Sequence, residues 1–143
     1  MARSKQWKSE RDKRDGGGFV AIPLTVLNSV AFRQASPHAK ALLMDLVAQL
    51  RAENNGDLAA CWRFMKDRGW QSQTTLLKAK RELIERGLIV ETRMGARPNK
   101  ASLYAVTWRA LDHCDGKLEI GSQSFPRGAY RLLDPLPAMK PKP

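Results

Sequence analysis

"TTLLKAKRELIERGLIVETR", residues 74–93, decides how this chain folds. Its first two thirds carry apolar residues at helical spacing. Leu76, Ala79, Leu83 and Ile84 fall toward one side. Ser72 stands just upstream as an N-cap, and Gly87 supplies the left-handed stop. The spacing therefore predicts a helix over 72–86. Past Gly87 the period drops to two. "LIVETRM" alternates as a half-buried strand does, and "SLYAVTW", from Ser102, answers it as an antiparallel partner. The two are joined by Gly95-Ala96-Arg97-Pro98-Asn99-Lys100. A hairpin tip uses Gly and Asn for its backbone. It has no conformational need for Arg97 and Lys100, so their charge asks for another reason.

Reading backward from residue 72, "GWQSQ" is a turn and "ACWRFMKDRG" a short helix ended by Gly69. Cys61 or Trp62, with Phe64 and Met65, is expected to face inward. "GDLAAC" is either a short strand or the approach to that helix. "SPHAKALLMDLVAQLRAE" is the clearest helix. Ser36 caps it, Pro37 fits its first turn, and Ala39, Leu42, Leu43, Leu46, Val47 and Leu50 form one stripe. Asn54-Asn55-Gly56 ends it. Further upstream, "FVAIPLTVLNSVAF" reads as a short helix opened by Pro23. Downstream, a short helix is expected near residues 108–114, and "PRGAYRLLDPLPAMKPKP" reads as extended. The organisation is thus a flexible basic arm (1–18), one α+β domain (19–114, core 36–108) and an extended basic tail (115–143).

Charge sets the class of partner. The chain has 143 residues, with 25 Lys and Arg against 14 Asp and Glu, a net charge of +11. Such a surplus attracts polyanions, meaning nucleic acid or an anionic membrane. No apolar run approaches the roughly 18 residues of a membrane span. The basic N-terminus lacks the apolar segment of a secretory signal, so a cytoplasmic protein is expected. Cys61 and Cys114 read as reduced, packed thiols.

The expected elements thus run helix, short strand, helix, tight turn, helix, strand, basic loop, strand. At "NNGDLAACWRFMKDRGWQSQTTLLKAKRELIERGLIVETRMGARPNKASLYAVTW" the chain resembles the winged helix-turn-helix DNA-binding families of bacterial regulators and of phage or plasmid replication proteins. The resemblance covers residues 36–108. It implies an α+β winged helix with a helical core and a small antiparallel β-hairpin wing. It also implies double-stranded DNA as partner, with the helix 72–86 in the major groove and the wing 94–102 as a clamp. The role implied is transcriptional regulation or an accessory part in replication of a mobile element. A homodimer is a further implication, formed through the helix near residues 23–30 or through the tail.

On a helical wheel Thr74, Lys78, Arg81 and Glu85 lie opposite Leu76 and Leu83. Gln71, Ser72 and Gln73 stand at the end that enters a groove. Gln reads adenine and Arg reads guanine through paired hydrogen bonds, while Ser and Thr hold phosphates. The readout candidates are therefore Gln71, Ser72, Gln73, Thr74, Lys78 and Arg81. Arg97 is suited to a narrow minor groove, and Arg93 and Lys100 to phosphates. Arg63, Lys66 and Arg68 lie on the preceding helix, which crosses the backbone in this architecture. Arg127, Arg131, Lys140 and Lys142 offer further phosphate contacts. For each group the plainer reading is a solvated, solubilising charge.

Three residues fit less simply. Lys80 lies near the core side and has to snorkel. Glu82 and Glu85 would repel phosphate, unless Glu85 pairs with Arg81. His38 and His113 are the only histidines, and no zinc tetrad, phosphate loop or dinucleotide fingerprint appears. No metal, no cofactor and no enzyme is expected. Two other readings compete. A protein-interaction module docking on an acidic host surface would expose Trp7, Trp70, Phe125 or the tails as apolar anchors. An RNA binder would expose Tyr104 and Trp108 on a sheet face.

Overall fold

The computed structural model describes residues 13–135. Most of the expected arm (residues 1–12, with Trp7) and the end of the tail (136–143, with Lys140 and Lys142) lie outside that range. In chain order the elements are α1 (Leu24–Leu27), α2 (Val30–Arg33), α3 (Pro37–Val47), β1 (Leu58–Ala59), α4 (Trp62–Met65), α5 (Gln73–Glu85), β2 (Ile89–Arg93) and β3 (Leu103–Val106). Short 3-10 turns follow α4 (Lys66–Arg68) and occur at Cys114–Gly116 and Ala129–Leu133. The described chain is a mixed α+β fold with one three-stranded antiparallel sheet, ordered β1-β3-β2.

Local chemistry sets the two long helices. Ser36 Oγ accepts the Ala39 N–H, and Ser72 Oγ accepts the Thr75 N–H, both at 3.2 Å. Each cap stabilises its helix by about 1 kcal/mol. The stripe Leu42, Leu43 and Leu46 on α3 is fully buried, as is Leu83 on α5, and these helices pack together. Ile84 departs from expectation and is 40% exposed, because Leu76, Ala79 and Leu83 already cover the contact with α3. Gly87 ends α5 at φ +72°, where a side chain would be strained. A Cβ there would also stand 2.6 Å from the Ala129 carbonyl oxygen, so this glycine both stops the helix and admits a later segment against it.

That later segment corrects the expectation of an extended tail from residue 115. Phe125 and Tyr130 are buried, and Ala129–Leu133 forms a 3-10 turn against α2. Tyr130 Oη lies 3.1 Å from Thr25 Oγ1, Asp134 Oδ1 accepts the Val30 N–H at 2.8 Å, and the Gly128 N–H reaches the Thr107 carbonyl at 2.7 Å. Two aromatic anchors outweigh the proline-rich composition. The helix expected near 108–114 is also absent. Asn55, fully buried, donates to the carbonyls of Val106, Arg109 and Ala110 and accepts the Val106 N–H, which holds this stretch as a turn. Among the described residues no helix is long and apolar enough to cross a membrane.

Candidate nucleic-acid interface

α5 presents its polar side away from α3. Gln73, Thr74, Lys78 and Arg81 are exposed along it, with Gln71 just before the cap. Arg63 and Lys66, on α4 and the turn after it, are exposed as well. None of these side chains makes a hydrogen bond or ion pair with a described residue. Ser72 differs, since its hydroxyl is engaged at the cap and is no free phosphate ligand.

The turn that aims α5 is anchored from α3. Asp45 Oδ2 accepts the indole N–H of Trp70 at 2.8 Å, and Asp45 Oδ1 lies 3.1 Å and 3.0 Å from two nitrogens of Arg68. Gly69, at φ +98°, lets the chain reverse between them. Arg68, expected among the DNA contacts, is thereby committed to the fold. A groove lined by His38, Met44, Asp45, Arg68, Trp70 and Gln71 runs along this junction.

The hairpin tip is tightly built. Ala96 and Lys100 exchange both backbone hydrogen bonds, at 2.8 and 2.9 Å, and Ser102 Oγ accepts the Gly95 N–H at 2.8 Å. A Cβ on Gly95 would stand 2.8 Å from the Lys100 carbonyl, so close approach of the strands demands this glycine. Arg97 is exposed at the tip, with no polar partner among the described residues. Lys100 Nζ lies 3.7 Å from Glu119, an exposed pair of little strength. Arg93 corrects the expectation of a phosphate ligand. Its Nε and Nη2 donate to the Ala101 carbonyl at 3.3 and 2.8 Å, bracing the hairpin base. The register slips between Glu91 and Arg93, and there Thr92 is buried with its hydroxyl on the Gly56 carbonyl at 2.6 Å.

The acidic residues resolve differently from one another. Burial opposes ionisation of Glu82, but hydrogen bonds from Ser36 and Arg86 outweigh it and hold the carboxyl below its ordinary value. Glu82 Oε2 accepts the Ser36 N–H at 2.6 Å and sits 3.3 Å from Arg86, so it is turned toward α3. Glu85 is exposed and forms no ion pair with Arg81. Lys80 is half-buried. Burial pushes its amine below the ordinary lysine value, while Cys61 and Glu91 nearby act in the opposite sense.

Among the other aromatics, Phe64, expected to face inward, is 40% exposed, while the described ones that a competing reading would use are withdrawn from solvent. Tyr104, Trp108 and Phe125 are all buried, which removes the platform an RNA reader would use and one apolar anchor of a docking module. Trp70 is half-buried and tied to Asp45. Three residues carry weight that sequence reading passed over: Asp45, Asn55, and Leu77, which is 45% exposed within the polar side of α5. In the sequence, Asn54-Asn55-Gly56 signals only a helix stop, and Leu77 is indistinguishable from Leu76 beside it. No protein-family model, no curated protein and no solved structure matches this chain.

Proposed function

We propose that this chain is a winged-helix protein that binds double-stranded DNA without catalysis, as a transcriptional regulator or replication accessory factor of a mobile element. In this reading α5 enters the major groove, and the β2–β3 hairpin is the wing that reaches an adjacent groove or backbone. Arg63 and Lys66 neutralise flanking phosphates. One observation carries the reading, the division of the basic residues. Arg51, Arg68, Arg86, Arg93 and Arg109 are engaged by carbonyls or carboxylates of the fold. Arg63, Lys66, Lys78, Arg81 and Arg97 are exposed and unengaged among the described residues, as are Lys13, Arg33 and Arg127; Lys78 and Arg81 lie on α5, and Arg63 and Lys66 on α4 and the turn after it. Free cations are what a polyanion requires.

A protein-docking role has its own observation in favour. Leu24 and Leu132 are 72% and 83% exposed, and each lies within two residues in sequence of the Thr25–Tyr130 contact. The two readings separate in one experiment. The purified protein is titrated with random and genomic-library duplexes across a salt series. DNA binding predicts affinity that falls steeply with salt, plus an enriched sequence in the bound pool. Steep salt dependence without enrichment leaves a nonspecific polyanion binder. No binding at moderate salt overturns the reading in favour of docking.

A further inference from the structure

Leu77 is out of place by the rule that shapes the rest of α5. The buried side of the helix is complete with Leu76, Ala79 and Leu83, each 2% exposed or less. Leu77 is 45% exposed, one turn after Gln73 and one turn before Arg81 on the same side. A leucine among exposed polar groups forgoes burial worth having, unless something covers it in the bound state. Ile84 is similarly exposed, but it lies about 10 Å further along the axis, toward the end that leaves a groove. Leu77 is the fifth residue of α5, within the first turn and a half, where side chains reach base edges.

The major groove holds one apolar feature that such a side chain can read, the C5 methyl group of thymine. On the proposed DNA-binding function, the geometry points to Leu77 as a specificity-determining residue that packs against a thymine methyl beside the bases read by Gln73 and Arg81. Polar neighbours supply donors and acceptors for base edges. Leu77 supplies the contact that distinguishes thymine from cytosine or uracil without a hydrogen bond. Because the free side chain already stands in water, the gain from covering it is realised only on binding.

The test uses the full chain and the duplex enriched from the library. Each thymine of the site is replaced singly by deoxyuridine, which removes the methyl and leaves every hydrogen-bonding group in place. Affinities of the wild type and of Leu77→Ala are compared by fluorescence anisotropy. Burial of one methyl corresponds to about a fourfold change in Kd. The expected result is a loss of that size at one position for the wild type, and none there for Leu77→Ala. Leu77→Met, which keeps an apolar reach, is expected to retain the discrimination. Wild-type indifference to every replacement overturns the assignment while leaving DNA binding intact. So does a discrimination that persists undiminished in Leu77→Ala. Failure of the wild type to bind any duplex removes the functional reading and this assignment together.

Discussion

Asp45 on α3 accepts the indole N–H of Trp70, at 2.8 Å, across the junction that aims α5. The same carboxylate holds Arg68 at 3.0 Å. One acid thus sets the angle between a core helix and the turn before the exposed polar face. Asp45→Ala leaves the indole N–H without its partner and is expected to cost about 1–2 kcal/mol of stability. Its DNA affinity should fall alike for all sequences, because orientation is lost and no base-reading group is. Asp45→Asn removes the same charge but keeps an acceptor for Trp70, so it should bind nearly as the wild type does. Urea unfolding and anisotropy on both variants check this. Equal losses in the two would assign the effect to charge.

Arg97 and Arg93 are four residues apart and chemically alike, yet the fold treats them oppositely. Arg93 braces the Ala101 carbonyl, and Arg97 is free at the tip. Arg97→Ala is expected to leave thermal stability unchanged and to reduce the salt slope of DNA binding by about one phosphate equivalent. Arg93→Ala should instead lower stability first. Arg33→Ala, exposed on α2 and not among the expected DNA contacts, serves as the charge control. A salt slope lowered equally by Arg33→Ala would show a diffuse charge effect and no clamp.

These contrasts mark what could be read from the sequence. The caps at Ser36 and Ser72 and the stop at Gly87 were legible because each acts within a few residues. The two strands were legible from their residue types, but β3 departs from the expected half-buried alternation: as the central strand it is buried at all four positions, Leu103 to Val106. The fold-back of Tyr130 onto Thr25, and the hub made by Asn55 at Val106, join distant parts of the chain, and composition carries no trace of them. The candidate face shows the same limit. Charge named the basic residues but could not say which guanidinium groups are consumed by carbonyls, so Arg68 and Arg93 stood beside Arg81 and Arg97 as equals. Leu77 was hidden because spacing alone does not say whether one or both of two adjacent leucines reach the core: Leu42 and Leu43 are both buried, whereas Leu76 is buried and Leu77 is not.

Asn55 is the buried group whose loss is hardest to repair. Its side chain satisfies three carbonyls and one N–H while wholly removed from water. Asn55→Leu leaves those backbone groups unpaired in the interior and is expected to destabilise by about 2–4 kcal/mol. The midpoint of urea unfolding should drop with little change in slope. DNA binding measured well below the midpoint should stay near wild type, since no exposed residue of α5 is touched.

Glu82 makes the α3–α5 junction sensitive to acid. Its folded carboxyl titrates below the ordinary value, so the stability it contributes is present above about pH 4.3 and is lost as pH falls through the lower, folded value. Glu82→Gln cannot ionise and should show a flatter loss of thermal stability across that acidic range. The two proteins should differ most near neutrality and converge at low pH. Parallel curves would mean that the ionised carboxylate contributes nothing to folding beyond what a neutral acceptor does.

Lys80 predicts a slope of the same sign at the alkaline end, stability rising with pH, because its folded value is lowered too. Burial disfavours its charged form, so the folded amine titrates below the ordinary 10.5. At neutral pH the fold therefore bears the cost of a partly desolvated cation. As pH rises through the folded value the amine sheds its proton in the native state first, and the cost is relieved until the unfolded chain also titrates. Lys80→Met keeps the stem and omits the charge, so it should raise Tm at pH 7 by roughly 1–3 °C. That gain should shrink steadily as the pH approaches 10.5, when the wild type is losing the same charge. Calorimetry between pH 7 and 10 decides the matter. A Tm lowered by the substitution at pH 7 would mean that Glu91 and Cys61 more than offset the desolvation, and that Lys80 is held in place as a cation.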